Sequence, residues 1–124
     1  MTTSPVEPLK EADLRQFTGS ETWYRHGLCR SILYTDGAQY LAEKGGAYWL
    51  LDEIALANCH EKFVMAESFQ LWTLNVLEDR SATLICEDGN GEGVYVKRIE
   101  FTDFPLNQIK LFFTDNTILL PSEY

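Results

Sequence analysis

Two adjacent carboxylates, Asp52 and Glu53, stand in an otherwise apolar stretch and are the first candidates for chemistry in this sequence. Neighbouring residues of a helix point about 100° apart, so the two carboxylates cannot both reach water easily from a buried helix. Because an unpaired buried charge is costly, at least one of them needs a partner. Arg25, His26 and Arg30, in the preceding segment, are the candidate partners.

The polar cluster of Arg25, His26, Asp52 and Glu53 is open to two interpretations. In the structural one, which we favour, a buried or half-buried ion pair ties the helix to the preceding segment. In the functional one, these side chains line a concave, partly apolar pocket and form the site of an enzyme or a small-ligand-binding protein. Simple exposure of both carboxylates at one edge of the fold is a third alternative.

The remaining histidines and cysteines do not predict a metal or catalytic site. His26 and Cys29 have a suitable ligand spacing, but Cys59 and His60 are adjacent, and the side chains of neighbouring residues diverge. Cys86 lies on a predicted strand and is expected to face the core. No Gly-x-Ser-x-Gly nucleophile motif is present. We therefore predict no metal, no cofactor and no catalytic residue.

Acidic residues strongly outnumber basic ones. The chain has 19 Asp and Glu against 10 Lys and Arg, a formal net charge of −9 and a pI near 4.6. Such a field repels nucleic-acid phosphates and anionic lipids and attracts basic protein surfaces, so no direct nucleic-acid or membrane binding is expected. Seven acids of the second half form the candidate interaction surface: Glu78, Asp79, Glu87, Asp88, Glu92, Glu100 and Asp103.

Length and cysteine usage indicate one domain in a reducing compartment. A chain of 124 residues fits a single domain, since domains commonly run to roughly 100–150 residues. We expect a flexible arm at residues 1–8 and one α+β domain at residues 9–124. The three scattered cysteines are odd in number, which favours free thiols in the cytoplasm. No apolar stretch approaches the roughly 18 residues of a membrane span.

A central helix from Tyr48 to Asn58 is the strongest prediction, because apolar residues fall on nearly every side of it. Before it, Asp36 and Gln39 form an expected capping box for a helix from residue 37 to about residue 44. Gly45 is expected to end that helix in the left-handed conformation. A short amphipathic helix is predicted from about residue 9 to residue 17.

Alternating patterns predict strands mainly in the second half of the chain. One N-terminal strand is expected near residues 29–34, and residues 23–26 are a loop or a strand of their own. Two paired strands follow from residue 69, a third covers residues 94–101, and a last hairpin joins residues 109–113 to 117–120 across Asp115 and Asn116. The expected class is α+β, with a C-terminal antiparallel meander packed against the central helix and one or two shorter helices.

Several short stretches of this sequence are shared with a known family. They are Trp23–His26, Tyr34–Gly37, Tyr40–Ala42, Gly45–Ala55 and Phe69–Trp72. From Leu14 onward the chain resembles a family of small bacterial, plasmid and phage proteins catalogued as a domain of unknown function. Its most specific stretch is Gly-Gly-Ala-Tyr-Trp-Leu-Leu-Asp-Glu-Ile-Ala. The resemblance implies no established activity, cofactor or catalytic residue, and it implies a host range rich in mobile elements, where small accessory proteins often bind other proteins.

These observations favour a small acidic, non-enzymatic protein-interaction module that engages a basic protein surface, as an accessory protein of a mobile element. Its acidic surface or an open sheet face is the expected contact. The protein is expected to be a monomer or a homodimer, the dimer forming through an open sheet edge. The alternative function is the enzyme or small-ligand binder built on Arg25, His26 and Asp52 or Glu53.

Overall fold

The computed structural model describes residues 9–19 and 22–124, so the arm predicted for residues 1–8 lies outside the described residues. A 3₁₀ turn, Pro121–Glu123, follows the last strand. The helices and strands, in chain order, are α1 (Glu11–Leu14), β1 (Trp23–Arg25), β2 (Leu33–Thr35), α2 (Asp36–Gly45), α3 (Tyr48–His60), α4 (Lys62–Met65), β3 (Phe69–Val76), β4 (Ala82–Glu87), β5 (Gly93–Ile99), β6 (Gln108–Thr114) and β7 (Thr117–Leu119).

The described strands form one seven-stranded mixed sheet in the order β1-β2-β7-β6-β3-β4-β5. The α+β class is confirmed, but the purely antiparallel meander is wrong in two respects. First, β6 lies beside β3 in the sheet and not beside β5, the strand before it in the sequence. Second, β2 from the first half of the chain pairs in parallel with β7, so strands are contributed by both halves. Neither pairing joins consecutive segments, and alternation within a strand carries no information about such distant partners.

Helix α3 is the buried helix that the sequence predicts, and it extends two residues further, to His60. Its buried residues, Leu50, Leu51, Ile54, Ala55 and Ala57, lie on one half of the helix, and Trp49 and Leu56 on the other half are partly buried. They pack in one core with the residues of β3 that face the helices, among them Trp72 and Leu74. A helix that is apolar nearly all round is thereby covered by α2, α4 and the sheet.

Helix α2 begins one residue earlier and ends one residue later than its local signals suggest. The N-cap is Thr35, whose hydroxyl accepts from the Ala38 N–H at 3.1 Å, whereas the expected capping box put Asp36 there. The left-handed residue is Gly46, with φ of 61°, not Gly45. Gly45 is needed for a different reason, since a Cβ there would lie 2.8 Å from the buried Phe104 ring.

The C-terminal turn closes over the start of α2. The Glu123 carboxylate accepts from the Thr35 hydroxyl at 2.7 Å and from the Gly37 N–H at 3.2 Å. A carboxylate is stabilised at a helix N-terminus, where backbone N–H groups are unpaired. A Cβ on Gly37 would lie 2.5 Å from this carboxylate, so glycine is what allows its approach.

The first helix is shorter than predicted. Helix α1 is a single turn of four residues, although both Leu9 and Leu14 are buried as its periodicity suggests. In the part of the chain that the structure describes, every helix is too short or too polar to cross a membrane.

Replacing Ile54 by alanine tests the central position of α3. Ile54 has no exposed surface, so Ile54→Ala is expected to lower the free energy of unfolding by about 2–5 kcal/mol, measured by chemical denaturation. Phe63→Ala is the control, because Phe63 is 69% exposed on α4 and its loss should change stability by less than about 0.5 kcal/mol. Equal small effects of both substitutions would contradict the buried position of α3.

Candidate functional site

The structure brings two members of the predicted polar cluster together. His26 is buried and its Nε2 lies 2.8 Å from the Asp52 carboxylate, whose side chain is half exposed. The other ring nitrogen, Nδ1, accepts from the N–H groups of Leu28 at 3.2 Å and Cys29 at 3.0 Å. Because Nδ1 accepts, the ring proton is on Nε2 and is donated to Asp52. The Nδ1 atom of His26 thus shapes the loop after β1, and Nε2 ties that loop to α3.

The other two members have separate partners. The Arg25 guanidinium donates to the Arg30 carbonyl oxygen, within the same loop. Glu53 forms an ion pair with Lys97 of β5 at 2.6 Å, and this carboxylate raises the pKa of Lys97 above its ordinary value. Lys97 was not among the expected partners, because it lies 44 residues further along the chain. The two adjacent carboxylates therefore connect α3 to opposite edges of the sheet.

The three cysteines are free, and the two buried ones, Cys29 and Cys86, are poorly suited to nucleophilic chemistry. Burial and the nearby Cys59 thiol raise the pKa of Cys29 to about 11, and burial raises the pKa of Cys86 to about 12. A thiol is nucleophilic only as the thiolate, so Cys29 and Cys86 are unreactive near neutral pH. Among the described residues, no three His, Cys, Asp or Glu side chains are grouped to hold a metal ion.

A polar network that the sequence did not reveal lies inside the fold. Gln70 of β3 is fully buried, and its amide binds the Asn58 side chain and the carbonyl oxygens of Val64 and Glu67. Its carbonyl oxygen accepts from the Trp72 indole at 2.8 Å. Every one of these contacts is internal, so the network joins α3, α4 and β3 and serves structure. A glutamine in an alternating strand pattern was the only available signal.

The seven acids of the predicted interaction surface fall into two groups. Glu78, Asp79, Glu100 and Asp103 lie at the end of the sheet where the β3–β4 turn and the residues after β5 meet, since Ala82 pairs with Ile99. Glu87, Asp88 and Glu92 lie at the opposite end of β4, in and beside the β4–β5 turn. The strand between them has six residues and spans about 20 Å.

Two of these acids are used within their turns. The Asp79 carboxylate accepts from the Ser81 N–H at 2.9 Å and from the Ser81 hydroxyl at 2.6 Å, which lowers the pKa of Asp79. The Asp88 carboxylate accepts from the N–H groups of Asn90 and Glu92. Both side chains shape tight turns, which is a common use of Asp.

One face of the sheet is not covered by any described helix, and we call it the open face. The register of the pairs assigns alternate residues of each strand to it, opposite the buried residues that face α3. On strands β3 to β6 its members are Phe69, Leu71, Thr73 and Asn75 of β3; Thr83, Ile85 and Glu87 of β4; Val96 and Arg98 of β5; and Gln108, Lys110, Phe112 and Thr114 of β6.

The open face is apolar in its middle. Pairing places Leu71 beside Phe112, and Ile85 beside Val96, in neighbouring rows of the sheet. Val96 is 64% exposed, and the other three side chains are half-buried. The ring of Tyr124, 73% exposed, extends the patch with edge contacts of 5.4 Å to Phe69 and Phe112. A partly exposed apolar patch on an uncovered sheet face is a feature of many interaction sites.

Neither of two concavities on the described surface is lined by Arg25, His26, Asp52 or Glu53. The larger, about 660 Å³, lies between α1, the start of β6 and the C-terminal turn. The smaller, about 400 Å³, lies between the end of α3, the residues after α4 and the β6–β7 turn.

Removing the hydrogen-bond acceptor Nδ1 of His26 is expected to destabilise the fold. In His26→Phe the buried N–H of Cys29 loses its partner, so we expect the free energy of unfolding to fall by about 1–3 kcal/mol, measured by chemical denaturation. Asp52→Asn is the matched variant, because its amide oxygen still accepts from His26 and should preserve stability more closely. If Asp52→Asn were the more damaging change, the pairing rather than the loop would be the main contribution.

The thiols are expected to react in a defined order. At pH 8, a thiol reagent such as iodoacetamide should label the half-buried Cys59 before Cys29 and Cys86, whose pKa values are raised to about 11 and about 12. Peptide mass spectrometry measures the order, and labelling in denaturant, where all three should react alike, is the control. Rapid labelling of Cys86 in the folded protein would contradict its burial.

Comparison with known proteins identifies a family but no function. The chain matches no curated protein and no solved structure. A family model described as "Family of unknown function (DUF6876)" matches residues 8–124, which is nearly the whole chain. The chain therefore belongs to this family of unknown function, DUF6876.

Proposed function

We propose that this protein is a non-enzymatic protein-interaction module whose contact surface is the open face of its sheet. The observation that carries the proposal is the apolar patch around Leu71, Ile85, Val96 and Phe112, which no described helix covers. An antiparallel sheet with one solvated face normally alternates apolar and polar residues, so that its outer face is polar. Here the outer face keeps large apolar side chains in its middle.

The charges around the open face indicate the kind of partner. Within the face itself one acid, Glu87, stands against two cations, Arg98 and Lys110. The two acidic groups described above lie at the two ends of the strands. Unlike those of Asp79 and Asp88, the carboxylates of Glu78, Glu92, Glu100 and Asp103 accept no hydrogen bond that shapes a turn of the described chain. A partner with an apolar centre and basic flanks would complement this arrangement. The acids then contribute orientation and association rate, while the apolar centre contributes most of the affinity.

The enzyme or ligand-binding alternative around Arg25, His26 and Asp52 or Glu53 has less support. His26 is only 4% exposed, and its two ring nitrogens are both hydrogen-bonded within the protein. The Glu53 carboxylate is paired with Lys97. A catalytic group must reach a substrate atom, and neither of these side chains is directed into a described concavity.

The proposal extends to cellular setting. We propose a cytoplasmic protein, supported by three cysteines that all remain free in the fold. We also propose that it is an accessory protein of a mobile element in bacteria, supported by the resemblance of the Gly45–Ala55 stretch to plasmid and phage proteins. Its net charge of −9 suits engagement of a basic protein and opposes contact with nucleic acid.

Val96→Glu tests the open face. Val96 is 64% exposed on an edge strand, so the substitution should leave stability nearly unchanged while placing a buried charge in the interface. The full-length protein is used as bait in extracts of its native host, and captured proteins are quantified by mass spectrometry. We expect a specific partner whose recovery falls by about tenfold or more with Val96→Glu.

Leu28→Glu is the matched control, because Leu28 is 74% exposed and lies in the loop after β1, away from the open face. A second comparison replaces Glu78, Glu100 and Asp103 by their amides and should weaken capture and its dependence on salt. The same change at Glu11 of α1, Glu43 of α2 and Glu61, between α3 and α4, should not. Capture that is equally sensitive to Leu28→Glu and Val96→Glu would reject the open face as the contact surface.

A further inference from the structure

The larger concavity is a groove beside an incomplete part of the sheet. Strand β6 pairs with β3 from Gln108 to Thr114, but it pairs with β7 only from Phe112 to Thr114. The first residues of β6 thus have a strand neighbour on one side only among the described residues. The groove of about 660 Å³ lies along this free side and is lined there by Gln108, Ile109 and Lys110.

The backbone of β6 therefore offers hydrogen-bonding groups to the groove. In an antiparallel sheet, alternate residues direct their N–H and C=O groups to opposite neighbours. From Gln108 to Leu111, about two residues direct these groups away from β3 and into the space that β7 leaves empty. After Leu119 the chain turns away into the 3₁₀ turn at Pro121, and no backbone hydrogen bond connects this turn to the start of β6.

The side chains around the groove combine an apolar floor with basic rims. Leu14, Leu106, Ile109 and Leu120 supply the apolar surface. Arg15 of the α1 end and Lys110 of β6 are both exposed and form no ion pair with a described acid. The groove holds a single acid, Glu11. The two cations therefore outnumber the acids in the lining of the groove.

We propose that this groove is a strand-addition site for an extended peptide in which acidic residues alternate with apolar ones. The peptide pairs with the free side of β6 where β7 has ended, so that its backbone completes the local sheet. Alternate side chains of an added strand point to opposite faces. The apolar side chains of the peptide lie beside Ile109, over the apolar floor of the groove. Its acidic side chains lie on the opposite face of the sheet, beside Lys110.

This site differs from the surface of the proposed function, which prefers a basic partner, although the two share Lys110 of β6. The groove favours the opposite charge because Arg15 and Lys110 are concentrated there. A protein with both surfaces is able to hold two different partners. The groove extends along about four residues of β6, so a peptide of four or five residues is sufficient to fill it.

The test uses a capped Val-Asp-Val-Asp-Val peptide and the full-length, isotope-labelled protein. Titration followed by amide chemical shifts should perturb Gln108, Ile109, Lys110 and Leu120. The affinity of a Val-Lys-Val-Lys-Val peptide should be lower by about tenfold or more, since its charges oppose those of the rims. Two versions of the acidic peptide, N-methylated on alternate residues, test the backbone. At least one of them should lose binding, because methylation removes the N–H groups that pair with β6.

Protein variants complete the experiment. Lys110→Glu should weaken binding of the acidic peptide, whereas Lys44→Glu, the same charge change at an exposed position of α2, should not. The proposal is overturned if both N-methylated peptides bind as well as the parent, which would indicate an anion site without strand addition. It is equally overturned if the amide shift changes map to Ile85 and Val96 on the open face. A second copy of the chain in the groove, detected as a molecular mass that rises with protein concentration, would also overturn it. Failure at the groove leaves the Val96→Glu result unaffected, so the two proposals are tested separately.

Discussion

The fold depends on one constraint, which is that a single buried helix is held at both edges of the sheet. Asp52 binds His26, which directly follows the edge strand β1, and Glu53 binds Lys97 on the other edge strand, β5. Six strand spacings separate these edges, roughly 28 Å in a flat sheet. Two side chains that start from adjacent residues span that distance only if the sheet curls around the helix, as the normal right-handed twist favours. One face of the sheet is then filled by α3, and the other is left outside.

The interior leaves little polar capacity for chemistry. Gln70, His26 and Asn58 are buried or half-buried, and each directs its hydrogen-bonding groups to other parts of the chain. Among the described residues, no buried side-chain nitrogen or oxygen lacks a hydrogen-bond partner. Catalytic sites commonly contain groups held away from their preferred partners, whereas a fully satisfied network adds rigidity and specifies one fold. The surfaces on which the two proposals rest, the open face and the free side of β6, lie outside this network.

Local patterns predicted most of the elements but not their arrangement; the single-turn helix α4 was missed, and β2 lies at Leu33–Thr35, later than the strand expected near residues 29–34. The helix from Tyr48 and the hairpin at Asp115 and Asn116 were predictable, because apolar residues all round a helix and a two-residue turn are signals within a few positions. The Asp52 partner, His26, was among three candidates, although it lies 26 residues away in the sequence. Lys97, the β3–β6 pairing and the parallel β2–β7 pairing depend on where the chain returns after long connections. The open face could not be predicted without the strand register, because the exposure of a side chain depends on which elements cover the strand.

The acidic character of the chain has more than one physical cause, and separating the causes changes how its function is inferred. Glu53 and Asp52 hold the helix, Asp79 and Asp88 form turns, and Glu123 covers the N-terminus of α2. These acids form ion pairs or hydrogen bonds within the fold, so their number says little about a partner. The acids at the strand ends without such contacts are the ones that extend a field into solvent, and within about 10 Å of the surface that field acts on whatever approaches the open face. Net charge therefore overstates the acidic contact surface, and the distribution of charge over the two sides of the sheet is the better guide to what binds.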